Sequence, residues 1–242
     1  LLLPFLGIFT RFIDRSISSR ETSKNKFLKG VSPLEAGSAL MALQKEAKLF
    51  LSESIRLNRI IMRIDESTDD EIEQYGYMKE YENEITNFYI QMQMGDLSTA
   101  EAHNVAHISA AVRNAALGVK DIKDIRHNLF NLRNSSHADL YSYFVKLKST
   151  QQEYYDLLYK LMDDNHREST KLIKLIRNEN MKIHLEVNRT LMDIFASNVD
   201  AVDFDFSSLM NLTREITNSH EYICQAFENF KLSHGVQTQE SW

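Results

Sequence analysis

His103 and His107 stand four residues apart, the spacing at which two imidazoles on one helix face can chelate a divalent cation. Further along, residues 119–129 read VKDIKDIRHNL, with six chargeable side chains in eleven: Lys120, Asp121, Lys123, Asp124, Arg126 and His127. Asp121 and Asp124 can offer oxygen ligands, while Lys120 and Lys123 beside them oppose a cation and pair with them along the helix. Position 104 is Asn, so His103 and His107 do not form the HExxH pattern of a zinc protease. No Glu has a His three residues later, which removes the inward Glu-x-x-His pairs of di-iron bundles. Glu80, Glu82 and Glu84 in KEYENEITNFY spread around a helix as a solvated face. Met92, Met94 and the aromatic residues of that segment read as core. Phosphate loop, nucleophile elbow and Cys/His dyad are all missing from the sequence, so it predicts binding and not catalysis.

These residues must be positioned by helices. Seven Gly and two Pro in 242 residues are too few for the turns of a strand-rich fold, which favours an all-α chain. Ser32-Pro33-Leu34-Glu35 reads as a capped start of a first helix. Asp65-Glu66-Ser67 with Asp69 and Asp70 opens a second, which Gly95 ends, and Ser98-Thr99-Ala100-Glu101 caps a third. Asn134-Ser135-Ser136 with Asp139 opens a fourth. Asp163-Asp164-Asn165 breaks before a fifth, and Asp203-Phe204-Asp205 precedes a sixth. In the first helix Leu40, Leu43, Ala47, Phe50, Leu57, Ile61 and Ile64 keep three- and four-residue steps, with Ser54 the exception. In the third, Val105, Ile108, Val112, Ala115, Val119, Ile122 and Leu129 do the same, with Arg126 the exception. On that third helix Asp121, Asp124 and Asn128, with His103, His107 and Asn114, fall on the opposite, outward stripe. The charges of VKDIKDIRHNL are therefore expected on the wet side. Lys120-Asp121-Ile122-Lys123-Asp124 also resembles Arg214-Glu215-Ile216-Thr217-Asn218, which suggests two related three-helix halves.

The net charge of −6 is unevenly spread. Residues 1–29 carry Arg11, Arg15, Arg20, Lys24, Lys26 and Lys29 against Asp14 and Glu21, leaving the remainder at −10. So acidic a body repels phosphate backbones, which argues against nucleic-acid binding. The single Cys224 allows no internal disulfide and fits a reducing compartment. The opening run LLLPFLGIFTRFI is shorter than the about 20 apolar residues of a full span. It reads as the last turns of a membrane helix, with the basic cluster after it on the cytoplasmic side. A packed amphipathic arm is the other reading.

The order of helices and the phrase Val119-Lys120-Asp121-Ile122-Lys123-Asp124-Ile125-Arg126-His127-Asn128-Leu129 resemble the PhoU-like domain. In particular the chain looks like the cytoplasmic part of bacterial sodium/phosphate cotransporter family proteins. The resemblance covers roughly residues 35–232. It implies an all-α, PhoU-like fold of six long antiparallel helices in two tandem three-helix bundles. Residues 1–13 are then the end of a transmembrane helix, 14–31 a basic juxtamembrane linker, 32–133 and 134–232 the two repeats, and 233–242 a tail.

The function implied is a cytoplasmic regulatory domain at the bacterial membrane, with inorganic phosphate and sodium handled by its own transmembrane transporter portion. Self-association or a signalling partner would be its other contacts. A Glu-x-x-x-Asp motif on the third helix of each half holds surface metal in this family. Here it falls on Lys120 and Asp124, and on Arg214 and Asn218. The metal candidates are therefore Asp124, Asp121 and His127, for a surface-bound divalent cation or iron, with no other cofactor expected. The alternatives are a free-standing PhoU-like phosphate-signalling adaptor or a metal-binding helical protein, including a metal-dependent enzyme using His103 and His107.

Overall fold

The computed structural model describes residues 25–68, 70–163, 169–197 and 206–235. The arm at 1–13, most of the basic linker and the helix signals at 164–165 and 203–205 lie outside them. Within the described residues the chain is all-α. Its helices are α1 (Ala36–Ile61), α2 (Glu71–Met92), α3 (Thr99–Asp124), α4 (Arg126–Arg133), α5 (Ala138–Asp163), α6 (Ser169–Ser197) and α7 (Phe206–Gly235). None of them is long and apolar enough to cross a membrane.

Local chemistry accounts for the ends. Asp70 accepts from the backbone N–H of Ile72 at 2.7 Å and of Glu73 at 3.1 Å, capping α2. Ser98 and Glu101 form a complete capping box at the start of α3. The expected cap at Ser32-Pro33 is instead a turn, closed by the Glu35 N–H donating to the Ser32 carbonyl at 3.2 Å, and α1 starts after it. The predicted third helix is interrupted at Ile125, whose φ of −92° and ψ of 4° lie outside the helical well. The break makes α4 a separate helix. It also explains Arg126 on the apolar seam: its guanidinium turns to Glu71 at the start of α2, 3.8 Å away. The last helix runs to Gly235, three residues beyond the predicted repeat boundary.

Helix α1 is central, packing against α2, α3, α5 and α7. Its buried face is correspondingly wide, holding Leu43, Ala47, Phe50, Leu57 and Ile61 as expected, and also Glu46, Leu51, Ile55 and Asn58. Ser54, the exception on the seam, is buried and donates to the Phe50 carbonyl at 2.8 Å, so its hydroxyl costs little there. Met92 is in the core, whereas Met94 follows the end of α2 and is 77% exposed, contrary to the core role expected of it. One apolar core joins Phe50 and Ile85 of the early helices to Tyr155, Ile176 and Leu212 of the late ones.

Candidate functional site

Among the described residues the most extensive helix pairing is α3 against α7. Three points of approach on α3, and a fourth past the break on α4, run in opposite directions to their partners on α7. His107 Nδ1 lies 3.3 Å from Asn229 Oδ1, and Ser219 Oγ donates to the Gly118 carbonyl at 2.7 Å. Asp121 lies within electrostatic reach of Glu215, and Asn128 Nδ2 donates to the Ser208 carbonyl at 3.0 Å. The pairing is therefore antiparallel. Small residues allow it: a Cβ on Gly118 would meet Ile223 at 2.9 Å and the Ser219 carbonyl at 3.1 Å. Part of the stripe expected to face water, at His107, Asp121 and Asn128, is thus a polar seam between helices, while His103 and Asp124 stay exposed. Asp121 is the clear correction, being only 7% exposed.

That burial defines its chemistry. Asp121 Oδ2 has no hydrogen-bond partner. Burial pushes its carboxyl up to about 6, the Glu215 charge adds to the effect, and Lys120 opposes it. Asp124, three residues on, is exposed and clasped by Lys120 Nζ at 2.8 Å and Lys123 Nζ at 2.6 Å. Partial burial pushes its carboxyl up, but hydrogen bonds and charge from both lysines outweigh that and hold it below the usual range. His127 lies past the break, exposed, with Nε2 3.1 Å from the Asn131 amide. The three predicted metal residues therefore serve three surroundings: a helix seam, a lysine clasp and a solvent-side turn. Among the described residues no group of three His, Cys, Asp or Glu side chains gathers as a metal site. In the second half Arg214 bonds Glu215 at 2.8 Å and contacts Asn211, and Asn218 is exposed. His103 is exposed, apart from the half-buried His107.

Two polar clusters escaped the reading of the sequence. The first is buried among α5, α6 and α7. His220 is 1% exposed, with Nε2 2.6 Å from Gln151 Oε1 and Nδ1 against the Asn180 amide. The Tyr154 ring stacks on the imidazole at 3.7 Å, and its hydroxyl donates to the His220 carbonyl at 3.1 Å. A signal did exist: His220 falls on the three-and-four rhythm of Leu209, Thr213, Ile216, Ile223 and Phe227, where a core residue belongs.

The second cluster fastens the start of the described chain. Glu46 on α1 is fully buried and accepts backbone N–H groups from Lys26 at 3.1 Å, Phe27 at 2.6 Å and Leu28 at 3.3 Å. The Tyr81 hydroxyl on α2 donates to the same carboxylate; burial first, and then the Glu46 hydrogen bond and charge, raise the tyrosine's pKa. Leu28 enters the core, and Asn25 Nδ2 donates to Glu84 at 2.8 Å. Gly30, at φ +79°, then turns the chain toward α1. A carboxylate with four donors is a satisfied buried charge, and it binds main chain without regard to side-chain identity. Sequence periodicity carries a signal for Glu46 itself, which stands three residues after Leu43 and four before Phe50, but none for its partners, which belong to a segment with no repeat. Comparisons with family models, curated proteins and solved structures return no match.

Proposed function

We propose that this chain is a PhoU-like regulatory domain on the cytoplasmic face of a bacterial membrane, joined to the membrane portion of a sodium-dependent phosphate transporter. It acts by contact and not by catalysis. The observation that carries the reading is the Glu46 clasp: a basic, apolar-led arm is held by its main chain at residues 26–28 to the centre of an acidic helical body. A movement of the arm would reach α1 and α2 through Glu46 and Tyr81, and a change in the bundle would reach the arm by the same bonds. The repeat supports two related halves: Asp121 and Glu215, matching positions of the two copies, approach each other where α3 and α7 run antiparallel. An approximate two-fold axis through that point would relate two tandem three-helix bundles. A metal on the third-helix surface would have to displace Lys120 and Lys123 from Asp124, which favours protein partners over metal as the ligand of that surface.

The test is phosphate uptake by cells making the whole gene product, with and without residues 32–235. Sodium-dependent uptake whose rate changes on deletion supports the proposal. Uptake that is absent, or indifferent to sodium, overturns it. Elemental analysis of the purified chain after dialysis against iron, zinc and manganese tests the metal reading separately.

A further inference from the structure

The turn after α1, the end of α4 and one face of α5 enclose an open cleft of about 1080 Å³. Small-molecule sites are commonly about 300–1,000 Å³, so its capacity suits a ligand the size of a nucleotide. Three cations line it, Arg63 from the turn, Arg133 from the last position of α4 and Lys148 from α5.

Arg63 has φ +61°. Its N–H donates to the Ile60 carbonyl at 3.0 Å and the Ile64 N–H to the Arg59 carbonyl at 2.9 Å, the two bonds of a Schellman close. Glycine is the usual residue there. The arginine is kept in place by a 2.7 Å ion pair with buried Glu71. Arg133 has no acid partner among the described residues, and Lys148 is influenced only at a distance by Asp65. Of the two acids in the wall, Asp65 is already neutralised by Arg59 through bonds of 2.8 and 2.9 Å, and Glu66 is exposed. With Arg63 and Asp65 both paired, Arg133 and Lys148 against Glu66 leave the cleft with a net of one positive charge on a body that is strongly acidic. Beside the cations is an apolar shelf. Tyr141 and Val145 are 50% and 48% exposed, one turn apart on the face of α5 that carries Lys148.

We propose that this cleft binds a small phosphorylated molecule bearing a flat aromatic ring whose face can stack, of the nucleoside monophosphate class. The Arg133 fork takes two phosphate oxygens, Lys148 supplies a second positive charge, and the ring lies against Tyr141 and Val145. The site stands on this geometry and goes beyond the transport reading; none of its residues takes part in the Glu46 clasp.

Titration calorimetry on the full chain at low salt, with AMP, adenosine and inorganic phosphate as probes, tests it. AMP is expected to bind more tightly than either fragment. Arg133→Ala and Lys148→Ala, both outside the core, should each weaken AMP by about tenfold through the loss of a charge-assisted contact. Tyr141→Ala should weaken AMP and leave phosphate unchanged. Far-UV circular dichroism checks that each variant is folded. The proposal is overturned if AMP gives no binding at millimolar concentration. It is equally overturned if phosphate binds as tightly as AMP, or if the two cation variants bind AMP like the parent chain.

Discussion

Replacing Asp121 by Asn should stabilise this protein at neutral pH and have little effect at pH 4. The carboxyl is 7% exposed, has a buried oxygen with no partner, and feels the charge of Glu215 across the seam. Its pKa in the folded chain is about 6, against 3.8 for the free group. Below about pH 3 both states are protonated and the site costs nothing. Between pH 4 and 6 the native state keeps a proton that the unfolded chain has released, so stability falls as pH rises. Above pH 6 the penalty is constant. At 1.36 kcal/mol per pKa unit, the shift corresponds to about 3 kcal/mol, or about 2 kcal/mol once partial hydration is allowed for. Asn carries no charge at any pH, and its amide can donate toward Glu215. Lys120 and Asp124, the other charges near the site, are unchanged by the substitution. Urea unfolding followed by circular dichroism at pH 4, 5, 6 and 8 would give the difference between variant and parent. A difference that rises from near zero to about 2 kcal/mol and then levels is the expected result. A variant less stable than the parent at pH 8, or a difference independent of pH, would refute the reasoning.

Other consequences follow from single contacts. Gly118→Ala places a Cβ 2.9 Å from Ile223 and 3.1 Å from the Ser219 carbonyl. It should lower stability by about 1–2 kcal/mol despite the gain in helix propensity, as thermal unfolding will show. Glu46→Gln leaves one acceptor oxygen for four donors, of which the Leu28 N–H and the Tyr81 hydroxyl are buried. A loss of about 2–4 kcal/mol is expected, with faster hydrogen exchange at residues 26–28; unchanged exchange there would remove the clasp from the proposed coupling. Cys224 is 1% exposed, and burial pushes its thiol up to about 11. Iodoacetamide at pH 8 should leave the native protein unmodified and alkylate it fully in urea, as intact mass will report.

What could be read from the chain was chiefly local. Ser98 with Glu101 and Asp70 before α2 cap helices because the partners lie within three residues of each other, and the structure has both. The break at Ile125 could not be read, since Arg126 looked like a lone polar residue on an apolar stripe and its partner Glu71 belongs to another helix. His220 could have been found by asking why a histidine stands at a core position. The same question applies to Glu46, between Leu43 and Phe50, but its answer could not be read, because three of its four partners are backbone groups, which leave no trace in side-chain pattern.

The sequence by itself determined that this protein is helical, where the helices beginning at Glu71, Thr99 and Ala138 start, and which stripe of the first and third is apolar. Those properties arise from contacts within a turn or two and from a 3.6-residue period. Tertiary structure alone decided the fate of the polar stripe at His107, Asp121 and Asn128. Periodicity can separate polar from apolar faces, but it cannot distinguish a face turned to water from one turned to another polar helix. That choice depends on Gly118 letting α7 approach, and on Ser219 donating to its carbonyl from 101 residues away. The same distinction makes Asp121 a buried acid and Asp124 a surface ion pair, three residues apart on one helix.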